Sequence, residues 1–163
     1  VNAAGAGLYA PMENGFAEQW QTVVDTNIIG LINVIAAVKD MAEPPRHIVQ
    51  IGSLAAVRPS RTPGSSVYSA TKAASVRLFQ EFRTEIKERS MPTKTTLITP
   101  GYVGGTDFTE NYFARTPAAT VDLLNRFPPL TPEDIAAAVS YALAQPDGVE
   151  VSEVVLRPAG QPD

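Results

Sequence analysis

Tyr68 and Lys72 stand four residues apart in the stretch "YSATK". On a helix that spacing puts both side chains on one face. A phenol ionises near pH 10, too high for efficient proton exchange at neutral pH. An ammonium beside it favours the phenolate and lowers that value. Such a pair suits proton transfer to or from an alcohol or a ketone. The spacing alone carries little weight, because about 0.1 such pairs are expected by chance in a chain of this composition. Its plain reading is a surface lysine beside a partly buried tyrosine. Three further positions change the balance. Ser53 ends "HIVQIGS", Pro100-Gly101 ends "TTLITPG", and Asn2 to Gly5 form a loop-like start in "VNAAG". Ligands of parallel α/β sheets bind beyond the carboxyl ends of the strands, where all three positions would lie. Each also has a plain alternative: Ser53 a turn residue, Pro-Gly a strand breaker, Asn2 a frayed terminus.

The elements that must position these groups follow from periodicity. Trp20, Val23, Val24, Asn27, Ile28, Leu31, Ile32, Ile35 and Val38 recur at three- and four-residue steps, which predicts a helix over 16–41 stopped by Pro44-Pro45. Residues 48–51 form a short apolar run that reads as a buried strand, and 58–66 as a loop rich in Pro, Gly and Ser. A second helix is expected over 66–89, with Val76, Leu78, Phe79, Phe82 and Ile86 as its buried stripe. The β-branched run 95–99 reads as a strand. Residues 102–130 read as irregular, with a short helix over 118–127. Thr131-Pro132-Glu133-Asp134 opens a helix running to about 144, and a last strand falls near 154–156. Helices alternating with continuous apolar strands predict one α/β domain over 1–163 with a parallel sheet. The chain begins without Met, and its first residues look like the end of a strand.

At this point the chain resembles the short-chain dehydrogenase/reductase family, as its C-terminal two-thirds. Asn2-Ala3-Ala4-Gly5 matches the family's Asn-Asn-Ala-Gly. Asn27 in "VVDTNIIG" matches its helical Asn, and Ser53 its Ser at a strand end. Tyr68 and Lys72 match its Tyr-x-x-x-Lys, and Pro100-Gly101 its Pro-Gly. The resemblance implies an N-terminally truncated, Rossmann-like, doubly wound sheet. It implies an NAD(P)-dependent oxidoreductase of a small alcohol, ketone or hydroxy acid, with NADP ahead of NAD. Tyr68 would be the acid/base. Lys72 would lower its pKa and bind the nicotinamide ribose. Ser53 would hold the substrate oxygen, and Asn27 would support a proton-relaying water. Asn2, Ala3, Gly5, Pro100, Gly101, Val103 and Thr106 would contact the cofactor. A homodimer or homotetramer through the two long helices and a cytoplasmic location are also implied. The sequence departs from the family at Ala3, at Gly52 and at the displaced Thr106. It also holds no Gly-rich turn after a strand, the device that seats a pyrophosphate. The isolated chain is therefore expected to be nearly inactive, with a non-catalytic module that keeps only the dimerising helices as the alternative.

Composition removes other classes. The net charge of −4 gives no general attraction to nucleic acid or anionic membrane. No apolar run approaches the ~18 residues of a membrane span. Without cysteine and with the single histidine His47, neither thiolate nor histidine-rich metal sites are expected. His47 reads as an element-boundary residue.

Overall fold

The computed structural model describes residues 1–59, 63–114, 116, 118, 121–122 and 126–162. Three parallel strands, β1 (His47–Ile51), β2 (Lys94–Pro100) and β3 (Glu153–Leu156), lie in the order β1-β2-β3. On the far side of β1, Asn2 makes one parallel bridge to Gln50: its N–H donates to the Val49 carbonyl at 2.7 Å and its carbonyl accepts from Ile51 N–H at 3.0 Å. The strand-like start is thus a single bridge.

β2 is central and buried on both faces, which is why its run is unbroken rather than alternating. From Thr95 to Thr99 no residue exceeds 1% exposure. Its buried hydroxyls are all partnered, as burial of a polar group requires. Thr95 Oγ1 accepts from Arg83 Nε (2.8 Å), Thr96 donates to the Val151 carbonyl (2.6 Å), and Thr99 donates to Glu153 (3.3 Å). His47 opens β1, its Nε2 2.8 Å from Thr96 Oγ1.

The first helical segment is α1 (Ala17–Val24), a π turn (Asp25–Ile29) and α2 (Gly30–Lys39). Its buried residues, Val23, Asn27 and Leu31, repeat every four positions, and α1 and the π turn pack on α3. By length and composition the 23-residue segment Ala17–Lys39, an 18-residue window of which has mean hydropathy 1.5, would suffice to cross a membrane, as no other helix among the described residues would. Asp25, Asn27 and Asn33 interrupt it, so it holds no unbroken apolar run of the length a span needs.

α3 (Ser66–Glu88) follows the expected span and buries Phe79 and Ile86 at 1% each. With Val76, Phe82, Ile48 and Leu97 they form the core between helix and sheet. α5 (Pro132–Leu143) starts as predicted: Thr131 Oγ1 accepts from Asp134 N–H at 3.3 Å, and Asp134 accepts from Thr131 N–H at 2.8 Å. The stretch expected to be irregular holds a further helix, α4 (Asp107–Phe113), capped by Thr106. Of the helix expected over 118–127, residues 119, 120 and 123–125 lie outside the described residues.

Candidate active site

A cavity of about 820 Å³ opens at the carboxyl ends of β1 and β2. Ser53, Tyr68 and Lys72 line it, as do Ala3, Gly5, Pro100, Gly101, Val103 and Thr106. Asn27 and Asn2 line a smaller adjoining cavity of about 140 Å³, which Lys72 also lines.

Each side chain is held by its element. Ser53 leaves β1 in an extended conformation and caps the short 3₁₀ turn Leu54–Ala56, its hydroxyl accepting from Ala55 N–H at 3.1 Å. Tyr68 and Lys72 share one face of α3. Lys72 is buried with 6% exposure, and burial brings its ammonium down to about 8. Burial pushes the Tyr68 phenol above its ordinary value, and a side-chain hydrogen bond with Ser53 works the other way. The expected lowering by Lys72 is not among the causes that act on Tyr68 in this structure, where loss of water sets the direction.

Asn27 sits in the π turn, a local widening of the helix that often marks functional sites. Its Oδ1 accepts from Ala6 N–H at 2.8 Å. Its Nδ2 donates to the Ala6 carbonyl at 2.8 Å and to Thr71 Oγ1 at 3.0 Å. Thr71 in turn donates to the Tyr68 carbonyl at 2.8 Å. Asn27 thus ties the loop at residue 6 to the Tyr68 turn of α3. Gly5 lies within this clamp: a Cβ there would sit 3.2 Å from Lys72 Nζ and 3.6 Å from Asn27 Oδ1.

The exit of β2 is fixed from two sides. Gly101 N–H donates to the Leu156 carbonyl at 2.8 Å. Tyr102 N–H donates to Gln161 Oε1 at 3.0 Å. A Cβ at position 101 would overlap Gln161 Oε1 and lie 2.9 Å from Arg157 Cβ, so glycine is needed for this close approach. Val103 is bridged to Leu130. Thr106 lines the cavity, but its hydroxyl accepts from Thr109 N–H at 3.3 Å and lies 2.9 Å from Thr109 Oγ1, so it serves the α4 cap.

Sequence reasoning missed the opposite wall. Tyr68 packs against Phe108 (centroids 5.3 Å) and Tyr112 (6.3 Å) of α4. Tyr102 meets Phe113 and Phe127 edge-on, each at 6.1 Å. The available signal was the crowding of aromatics between 102 and 127. Burial pushes the Tyr112 phenol up to about 12. Among the described residues no three metal-ligating side chains gather.

Glycines at two close approaches, and a cavity at the strand ends that Tyr68 and Lys72 line together, make up the site's geometry. A family model described as short chain dehydrogenase matches residues 1–117. An NADP-dependent 3-hydroxy acid dehydrogenase of Salmonella typhi is 36% identical over 164 residues, covering 99% of this chain and 64% of that protein. An uncharacterized oxidoreductase of Staphylococcus epidermidis is 34% identical over 165 residues, covering 97% and 63%. A solved closed form of serine dehydrogenase complexed with NADP+ superposes with a TM-score of 0.84 at 30% identity, covering 99% and 64%. The chain therefore spans about two-thirds of the length of the relatives it matches, shares their Rossmann-like parallel sheet, and belongs to the short chain dehydrogenase family.

Proposed function

We propose that this chain carries the acid–base half of an NAD(P)-dependent oxidoreductase that interconverts a small alcohol or hydroxy acid and its carbonyl form. The observation that carries the reading is the convergence of Ser53, Tyr68 and Lys72 on the cavity that Pro100 and Gly101 also line. Ser53 holds the substrate oxygen. Tyr68 gives that oxygen its phenolic proton in reduction and takes a proton back in oxidation. Lys72 offsets charge on the phenolate and reaches the ribose. Ala3, Gly5, Pro100, Gly101 and Val103 form the cofactor's bed, and Asn27 holds the loop that carries Gly5. When bound, the nicotinamide supplies or accepts the hydride. NADP is placed ahead of NAD because two of the relatives above carry NADP in their names or complexes.

The test is a fluorescence titration of NADPH with the purified chain, alongside turnover of a 3-oxo acid in material of the relatives' full length. Tyr68→Phe should abolish turnover in that material. Unchanged turnover, or no dinucleotide binding at full length, would sink the reading. The 163 residues alone should bind weakly and turn over little, because no Gly-rich turn for the pyrophosphate is in the sequence. A second reading is a non-catalytic module that pairs through its helices, favoured by Ile29 and Ile32, which are 46% and 42% exposed.

A further inference from the structure

The cavity wall carries a charge pattern that proton transfer does not explain. The chain as a whole is acidic, with 17 Asp and Glu against 13 Lys and Arg. Around the cavity the balance inverts. Arg58, Lys72 and Arg126 line it, and among the described residues no Asp or Glu does. Asp107 and Glu110 belong to α4, on the same wall, yet neither is part of the lining. The rest of the lining is largely apolar and aromatic. Cations facing such a wall, with no carboxylate among them, favour an anionic ligand.

The three cations are not equivalent. Lys72 lies beneath Tyr68 and serves the proton. Arg58 already holds an interaction of its own. Arg126 directly precedes Phe127, which is 8% exposed and packs edge-on against Tyr102 at 89°. Tyr102 is fixed in turn by Gln161. The backbone beneath Arg126 is therefore anchored to the wall, while its side chain is exposed. A guanidinium presents paired N–H donors that match a carboxylate.

We propose that Arg126 binds the carboxylate of the substrate, so that the preferred class is a hydroxy acid and its oxo acid. The carboxylate lies at Arg126 and the reacting oxygen between Ser53 and Tyr68. This rests on the oxidoreductase reading and narrows it. Neutral alcohols fit the same volume but leave Arg126 without an anion.

The test is a saturation-transfer NMR titration of the purified chain with 3-hydroxybutanoate and with its neutral isostere, 3-hydroxybutanamide. The acid should bind about tenfold tighter, as a charge-assisted pair at a partly exposed site gives. Arg126→Gln should erase that preference with an unchanged melting midpoint, Arg126→Lys should keep part of it, and Arg58→Gln should leave it intact. Equal binding of acid and amide, or no binding of the acid, overturns the assignment. So does a loss that follows Arg58→Gln instead. Inorganic pyrophosphate should not displace the acid; displacement that depends on Arg126 would give this cation to the cofactor's phosphates. NADPH titration of material of the relatives' full length reports separately on the redox reading. NADPH binding there without acid preference removes Arg126 alone, and acid preference with no NADPH binding there removes the redox reading alone.

Discussion

Lys72 is buried with 6% of its surface exposed, and its ammonium is brought down to about 8 from 10.5 by that burial. A group with a depressed pKa in the folded state holds fewer protons there than in the unfolded chain. Stability therefore rises with pH between about 8 and 10.5 and is lost as pH falls through 8. Below that window the fold carries the full cost of a buried cation. At roughly 1.4 kcal/mol per unit that cost is on the order of 3 kcal/mol. Lys72→Met keeps the stem and removes the charge. It should raise stability at pH 7 by up to about 3 kcal/mol, a gain of roughly 6–12 °C for a chain of this size. The assay is thermal unfolding of both proteins at half-unit steps from pH 6.5 to 10.5. The difference curve isolates Lys72 from every other titrating group. It should be flat below about pH 8 and shrink toward zero by pH 10.5. Tyr68 works in the opposite sense. Its raised pKa means stability is lost as pH rises above 10, so the wild-type optimum should lie near the upper end of the Lys72 window. A lower midpoint for Lys72→Met at pH 7, or a difference curve that is flat across pH 8 to 10.5, refutes the reasoning.

Asn27→Ala removes three hydrogen bonds of 2.8 to 3.0 Å and strands two backbone groups of Ala6. It should cost about 2–4 kcal/mol, and hydrogen exchange at the Ala6 amide should accelerate more than exchange in β2. Gly101→Ala drives a methyl into Gln161 and Arg157. It should destabilise by about 1–3 kcal/mol and raise deuterium uptake over residues 157–162, with the core of α3 unchanged. Ile29→Glu adds a charge to the exposed side of the first helical segment; light scattering should then show a smaller assembly, and an unchanged mass would argue against pairing through these helices.

Much of the scaffold could be read from sequence because it obeys one period at a time. α3 buries positions 76, 79, 82 and 86 at helical steps. β2 has no polar alternation because both its faces are covered. α5 announces itself by its capping box. What escaped notice obeys no period. The π turn at Asn27 adds one residue to a helical pattern without disturbing the apolar spacing around it. α4 is only seven residues long, and its aromatics face the cavity rather than a core stripe, so the pattern looked irregular. Tyr68 and Lys72 were visible as a pair, but their electrostatics depend on burial, which spacing does not report.

The polar geometry of the site is set by contacts that join distant stretches of chain. Ala6 meets Asn27 across 21 residues, Asn27 meets Thr71 across 44, and Tyr102 meets Gln161 across 59. Each of these bonds fixes a backbone next to another residue of the candidate site: Gly5 beside Ala6, Lys72 beside Thr71, and Gly101 and Val103 around Tyr102. Residue type reveals which side chain can do chemistry, whereas placement comes from partners that look ordinary in the sequence. Gln161 and Thr71 carry no motif, yet one bonds the Tyr102 N–H and the other the Tyr68 carbonyl, both on residues that line the cavity. The same distinction applies to Lys72. Its burial as a cation destabilises the fold, and the packing and hydrogen bonds of the rest of the chain must supply enough stability to hold it there.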